Sequence, residues 1–522
     1  MLAREETLKK LTTEIFDVVV IGGGATGAGV LLDAQLRGLK SLLVERGDFA
    51  SGTSSKSTKL VHGGVRYLEQ AVKTFDSNQL SLVMSALKER KNLFRIAPHL
   101  VRALPILTPC PSIFSVPYLL AGLKVYDWIA GDSRLAHSSF LSKGQTSKES
   151  ELLDVSKIYG SVKYYDGQFD DARLNVELVL TACDAGATAL NYVEVVALHK
   201  EKGCLSGARI LDRLTGEHYE LQGKVFVNAT GPCVDFMRLL DDPGVQPIIR
   251  CSSGTHIVIK GAEIKASTPG ILIPHTPDKR VIFILPWQKH LIIGTTDEPS
   301  IAHFDPQPTP EDIRYLLEQV NNYLKIPIEE SQVQAAWCGL RPLVEQGATS
   351  SSTATLSRDH FLTTSPTGLI TITGGKWTTY RLMAEEVVDR IIVMGRFFDA
   401  GPCLTMQYGV RGAHGGLTIL PSQLENEFKV TALQAEHLVT TYGNRAVQVL
   451  QGRSLEPLID GWPYLEAEVE YCVREELVQL PDDFVSRRIR IGFCDTKVSA
   501  TICDRIKSLF VHTHQLGRSL EH

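Results

Sequence analysis

Two stretches far apart in the chain, Gly22-Gly23-Gly24-Ala25-Thr26-Gly27 and Gly374-Gly375-Lys376, join a short apolar run to a helix-forming run through glycine. Such a turn lets backbone N–H groups approach an anion, and the helix behind it adds the partial positive charge of its N-terminus. Before the first turn, Phe16 to Ile21 is a β-branched run suited to a buried parallel strand. Gly22 makes the tight turn, Gly24 admits a pyrophosphate, and Gly27 lets helix and strand pack closely. A helix to about Arg37 stops at Gly38, and a second strand ends in Glu45, eighteen residues after Gly27. There a carboxylate accepts hydrogen bonds from an adenosine ribose. Strand, glycines, helix, strand and acid in this order read as a dinucleotide site.

The following residues choose between dinucleotides. Positions 45–64 form a hydroxyl-rich loop (Ser51, Thr53, Ser54, Ser55, Ser57, Thr58) where a simple NAD domain would place its third strand, and the loop runs into His62-Gly63-Gly64. A diphosphate-ribityl chain needs many short donors of this kind. Residues 224–232 give a buried strand ending in Ala229-Thr230-Gly231, like the second dinucleotide-contacting strand of two-site flavoproteins; a turn capped by Asn228 is the competing reading. The second glycine turn then has a task. Thr378 and Thr379 are placed to open a helix whose N-terminus faces the flavin N1–C2=O edge, stabilising the charge that develops there. FAD is the expected cofactor.

With 522 residues, two or three domains are expected. A composition 43% hydrophobic and 22% charged is that of a globular protein, and a net charge of −5 argues against a general nucleic-acid binder. The ten cysteines are scattered without CxxC or metal-ligand spacing, so neither a disulfide framework nor a metal site is expected. The first seventeen residues lack an apolar core and carry acids, which fits neither a signal nor a transit peptide. The most apolar stretch, 112–131, is broken by Pro117, Lys124 and Asp127, so no membrane span is expected.

The two glycine stretches, with "YYDGQFDDARLN" (164–175), "FILPWQKHLIIGTTD" (283–297), "GLRPLV" (339–344), "LSRDH" (356–360) and "GGKWTTYR" (374–381), resemble the FAD-dependent glycerol-3-phosphate dehydrogenases of the membrane-bound, quinone-reducing type, closer to mitochondrial members. The match runs in order over roughly 16–385, and "YLEAEVEYCVREE" (464–476) extends it. No EF-hand pattern matches the calcium-binding extension of animal mitochondrial enzymes, so calcium regulation is not expected.

The resemblance implies an α/β fold: a two-dinucleotide-site, Rossmann-like FAD-binding unit, a β-rich substrate lobe and a C-terminal helical domain. The expected division is an oxidoreductase domain at 1–397, with flavin parts at about 1–75, 155–235 and 335–395 and a lobe at about 240–335, then a helical domain at 398–522. The cofactor set is Gly22, Gly23, Gly24, Ala25, Thr26, Gly27, Glu45, Arg46, Thr53, Ser54, Ser57, Lys59, His62, Gly63, Gly64, Ala229, Thr230, Gly231, Gly374, Gly375, Lys376, Thr378 and Thr379. The implied substrate is glycerol 3-phosphate. Arg66, Arg341, Arg358 and Lys376 stand in matching motifs to clamp its phosphate, with Tyr67 a further contact. Loss of hydride from C2 requires a base for the hydroxyl proton, which favours histidine: His256 first, His62 second, with Arg341 able to polarise the oxygen.

The implied electron acceptor is a membrane quinone; oxygen as acceptor, or a flavin-binding scaffold without catalysis, are the alternatives. The implied location is peripheral, on the mitochondrial inner membrane or otherwise a bacterial cytoplasmic membrane, and a homodimer is compatible with the reading. Two stretches offer contact with a membrane surface: the aromatic run with Phe114, Tyr118, Leu119, Leu120, Tyr126 and Trp128, and the basic run with Arg487, Arg488 and Arg490. The aromatic run is favoured, since apolar depth outweighs a few charges.

Overall fold

The computed structural model describes residues 4–64, 77–261, 268–274, 276, 280–345 and 360–520, without side-chain detail at 77, 78 and 514–520. Arg66, Tyr67 and Arg358 lie outside the described residues.

A run of parallel strands forms the middle of the first sheet, in the spatial order Thr188–Leu190, Ser41–Val44, Ile15–Ile21, His218–Asn228 and Leu369–Gly374. Val18 to Ile21 are buried, as a strand covered on both faces must be. The register explains why two glycine turns 350 residues apart belong to one site. Ile21 pairs with Val44 on one side and Asn228 on the other, and Asn228 pairs with Thr371. All the turns therefore leave the carboxyl edge together, the place where open α/β sheets bind ligands. With strands about 4.8 Å apart, the two glycine turns are separated by about 10 Å, the reach of a single ligand. The helices Ala25–Leu36, Asp171–Asp184 and Tyr380–Gly395 share a hydrophobic core with this sheet.

The second sheet runs Glu298–Ser300, Ile249–Lys260, His290–Gly294, Ile282–Trp287, Gly270–Ile273, Val101–Cys110, Gly160–Phe169, Leu60–Val61. Val333–Val344 also pairs with Ile249–Lys260, and Ser139–Ser142 with Gly160–Phe169. This sheet draws on more of the chain than the lobe expected at about 240–335. Strands at 160–169 and 333–344, expected in flavin parts, belong to it, because alternation identifies a strand but not its neighbour.

The helix Ser115–Ala130 packs beside Gly160–Phe169 and turns its Leu123, Tyr126, Asp127 and Ala130 inward. Phe114, Tyr118, Val125 and Trp128, spaced by four, seven and three, are exposed, Phe114 and Trp128 most of all at 84% and 80%. Of the aromatic contacts expected from sequence, Tyr126 is thus misplaced: it is buried, and its hydroxyl accepts from the Gly63 N–H at 2.9 Å. Leu119 and Leu120 are half-buried against the same core.

The helices between Pro421 and Leu520 build a core of their own. The basic run is not a membrane surface. Arg487, Arg488 and Arg490 are buried at 6%, 1% and 0% exposure. Arg487 and Arg488 both donate to Asp48, at 2.6 and 2.8 Å, and Arg490 donates to Asp171 at 3.1 Å and to the Ser55 carbonyl at 2.9 Å. Against the burial that would raise it, Arg488 and Arg487 hold the Asp48 carboxyl down at about 2. The C-terminal helices therefore grip the loop that carries the hydroxyl-rich residues.

Candidate active site

A cavity of about 1740 Å³ runs along the carboxyl edge of the first sheet and opens between the two sheets. The predicted set of site residues lines it, except for Gly23, Gly27, Lys59, Gly63 and Thr379, which sit one layer behind, and the three residues outside the described part.

At the first turn Gly22 has φ +109°, and a Cβ there would lie 2.7 Å from the Ala229 carbonyl oxygen, so both backbone and space demand glycine. Gly27 fits its expected role: a Cβ would fall 1.9 Å from the Gly22 oxygen. Gly24 differs. Its backbone is ordinary, with φ −79°, and a Cβ would meet only the Ser54 hydroxyl, at 3.0 Å. What keeps this position bare is the cavity, which is the fit a diphosphate requires.

Glu45 was expected to face a ribose. Its two oxygens accept from the N–H groups of Gly23 (2.6 Å) and Gly47 (2.7 Å), so the carboxylate also braces the glycine turn from behind. Burial pushes its carboxyl up, and these two N–H groups oppose that. Asn175, which sequence reasoning missed, holds the Gly23 carbonyl at 2.8 Å from the helix Asp171–Asp184.

Much of the hydroxyl-rich loop is spent on its own architecture. Thr53 donates to the Leu340 carbonyl (2.6 Å), Ser54 accepts from the Ala25 N–H (2.9 Å), and Ser57 donates to Asp171 (2.7 Å). Lys59, expected among the cofactor contacts, does not reach the cavity. Its ammonium is wholly buried, donating to Asp171 (2.7 Å) and the Ser55 carbonyl (2.6 Å), and burial brings it down to about 8. It is a strut beneath the loop rather than a cofactor contact.

The second turn leads through Lys376 into Trp377–Thr379 and then the helix Tyr380–Gly395. Neither threonine caps that helix by its side chain. Thr378 Oγ1 instead accepts from the His62 N–H at 3.3 Å, and Trp377 Nε1 donates to the Ser54 carbonyl at 2.8 Å. Both links join the second glycine turn to the hydroxyl-rich loop. Trp377 had no local signal in the sequence, since its partner lies 323 residues away.

His256 stands on the strand Ile249–Lys260 opposite Trp337 and Gly294 of the flanking strands. Its ring stacks on Trp337 with centroids 4.1 Å apart, and Gly294 leaves room for its edge, since a Cβ there would lie 2.2 Å away. Nε2 is 3.0 Å from the Thr58 hydroxyl, and among the described residues Nδ1 has no hydrogen-bond partner. Burial first, then the charges of Lys59 and Arg341, hold its pKa well below 6.5, so the ring is neutral. Arg341 lies four residues beyond Trp337, on the same side of that strand. It donates to Thr295 Oγ1 (2.8 Å) and faces Asp297 at 3.4 Å. Gly254 makes space for it: a Cβ there would lie 2.4 Å from the guanidinium. Trp337, which aligns the imidazole, was missed, although its parity with Arg341 was available.

This arrangement places a backbone cradle for an anionic dinucleotide, a second N-terminal cradle, a neutral imidazole and the cations Arg341 and Lys376 around one space. The chain matches the family model "FAD dependent oxidoreductase" over residues 17–381 and "C-terminal domain of alpha-glycerophosphate oxidase" over 403–518. It is 43% identical to the human mitochondrial glycerol-3-phosphate dehydrogenase over 536 residues, covering 99% of this chain and 72% of that protein. The mitochondrial enzyme of Arabidopsis thaliana is 43% identical over 546 residues, covering 99% and 86% respectively. Among solved structures, the glycerol-3-phosphate dehydrogenase of Bacillus halodurans complexed with FAD superposes with a TM-score of 0.77 at 28% identity, covering 99% of this chain and 96% of that one. FAD is the cofactor, and the chain belongs to the FAD-dependent glycerol-3-phosphate dehydrogenases.

Proposed function

We propose that the chain oxidises sn-glycerol 3-phosphate to dihydroxyacetone phosphate and passes the electrons to a membrane quinone, as a peripheral protein of the mitochondrial inner membrane. The observation that carries this reading is the convergence of His256, Arg341 and Lys376 on the cavity that holds both glycine turns. The turns at Gly22–Gly24, Ala229–Gly231 and Gly374–Lys376 would hold FAD, which would supply the two-electron acceptor for the C2 hydride. The chain's own residues do the rest. Arg341 and Lys376 bind the phosphate or polarise the C2 oxygen. His256, neutral and on the cavity wall, accepts the C2 hydroxyl proton. Anaerobic addition of glycerol 3-phosphate should bleach the yellow protein, and quinone should restore the colour faster than air. No bleaching would leave a scaffold; equal recolouring in air would favour an oxidase.

Arg341→Ala should keep its flavin and lose ~1.5–3 kcal/mol of transition-state binding for glycerol 3-phosphate, the value of a hydrogen bond to a charged group. Unphosphorylated glycerol should discriminate little between the variant and the parent. Equal losses on both substrates would mark Arg341 as structural.

The quinone and the membrane are supported by the helix Ser115–Ala130. Its Tyr118, Leu119, Leu123 and Val125 lie on the cavity wall, next to the outward side with Phe114 and Trp128. Among the described residues no helix is long and apolar enough to cross a membrane, so an apolar acceptor would be met at the surface. Because Leu119 and Leu120 are half-buried, the test belongs on the outer residues. Phe114→Ser with Trp128→Ser should weaken binding to phosphatidylcholine–cardiolipin vesicles ~10- to 100-fold, as loss of two inserted aromatics implies. Quinone reduction should fall with it, while reduction of a soluble dye persists. Unchanged vesicle binding would exclude this face as the anchor.

A further inference from the structure

The end of the cavity beside Glu45 is built from two different parts of the fold. One side is Glu45 and Arg46, at the end of Ser41–Val44. The other side is the loop 301–309, which leaves the second sheet after Glu298–Ser300 and ends where Thr309 caps the helix Pro310–Asn321. Residues 303–307 of this loop line the cavity. Two ties draw the loop toward the flavin-binding part. The Arg46 guanidinium lies 3.8 Å from the centroid of the Phe304 ring, and Lys56 Nζ lies 3.6 Å from Asp305 Oδ1. Arg46 is itself fixed by Glu194, at 2.9 Å.

Phe304 also meets Phe236 of the helix Val234–Asp241, with ring centroids 5.8 Å apart. Both rings line the cavity, yet they are 50% and 45% exposed. A half-exposed aromatic pair next to a guanidinium presents flat apolar and cationic faces to whatever fills that end. A purine is the part of FAD that stacks on such faces.

We propose that Phe304, with Arg46 and Phe236, recognises the adenine of the cofactor, and that the loop 301–309 is the roof whose ties set how fast FAD leaves. The inference rests on the reading that the adenosine half of FAD lies beside Glu45. Riboflavin phosphate, which has no purine, gains nothing from this roof, so the same residues select the dinucleotide over the mononucleotide. Neither Phe304 nor Asp305 carries a sequence motif, because the cations that meet them, Arg46 and Lys56, lie about 250 positions earlier.

The test is the rate of FAD release from the full-length holoprotein, followed as flavin fluorescence after dilution. Phe304→Ala and Phe304→Leu should release FAD ~3- to 10-fold faster, the size of one lost aromatic stack. Phe304→Tyr, which keeps the ring, should release at close to the parent rate, and Asp305→Asn should fall between. An unchanged rate in Phe304→Ala would overturn the proposal. So would a Tyr variant as fast as the Ala variant, which would show general loosening instead of ring recognition. Asp305→Asn alters an exposed carboxylate and keeps the test open if a Phe304 variant folds poorly. A parent protein that purifies without flavin overturns the underlying reading instead.

Discussion

Gly24→Val should fold and purify colourless. Valine fits the backbone of this position, since φ is −79°, and the built Cβ meets no protein atom nearer than the Ser54 hydroxyl at 3.0 Å. The helix Ala25–Leu36 that it precedes is therefore not forced to move. The two γ-methyls instead occupy the space through which the diphosphate approaches the N–H groups of the turn. Losing two charge-assisted contacts there costs ~3–6 kcal/mol, or ~10²–10⁴ in affinity. The measurement is the ratio of flavin to protein absorbance, together with far-UV circular dichroism and the melting temperature. A stable, fully yellow Gly24→Val protein would sink the assignment of this turn to the pyrophosphate.

Gly22→Val supplies the contrast. At φ +109° and 2.7 Å from the Ala229 oxygen, a side chain there strains the strand-to-helix turn itself, so this variant should fail in folding rather than in colour.

The difference between those two glycines also shows what the sequence could reveal. G-x-G-x-x-G after a strand is a local pattern with a local cause, and its register neighbours Glu45 and Ala229–Gly231 were found by the same reasoning. The second turn was found because it repeats the pattern. What stayed hidden depends on partners distant in the chain. Ser57 and Lys59 looked like donors for a ligand, and nothing in residues 51–59 announces that Asp171, 112 positions beyond Lys59, consumes both. Arg487 and Arg488 looked like a basic surface until Asp48, about 440 positions earlier, proved to be their partner. A charge run has the same composition whether it faces lipid, water or a buried carboxylate. The helix Ser115–Ala130 was half legible: its aromatic content was evident, but which face turned outward depended on the strand Gly160–Phe169 beneath it. The alternation around His256 gave the strand, and only the sheet supplied Trp337 and Gly294 on either side of the ring.

His256→Ala should retain FAD and lose ~10²–10⁴ in kcat/KM for glycerol 3-phosphate, the usual contribution of a positioned general base. The imidazole belongs to the second sheet, and its hydrogen bond goes to Thr58, so its removal leaves the glycine turns intact. The pH dependence separates a base from a packing residue. Only the neutral ring can accept the proton, so activity is present above the folded-state pKa and lost as pH falls through it. Burial, Lys59 and Arg341 hold that pKa well below 6.5, so the acid limb of kcat/KM should lie below pH 6.5 rather than near neutrality. Lys59→Met removes a positive charge that disfavours the imidazolium, so the limb should move to higher pH. His256→Ala should lose this limb altogether. If the limb survives unchanged in His256→Ala, the proton goes elsewhere, and His62, on the cavity wall beside Thr378, becomes the base to test.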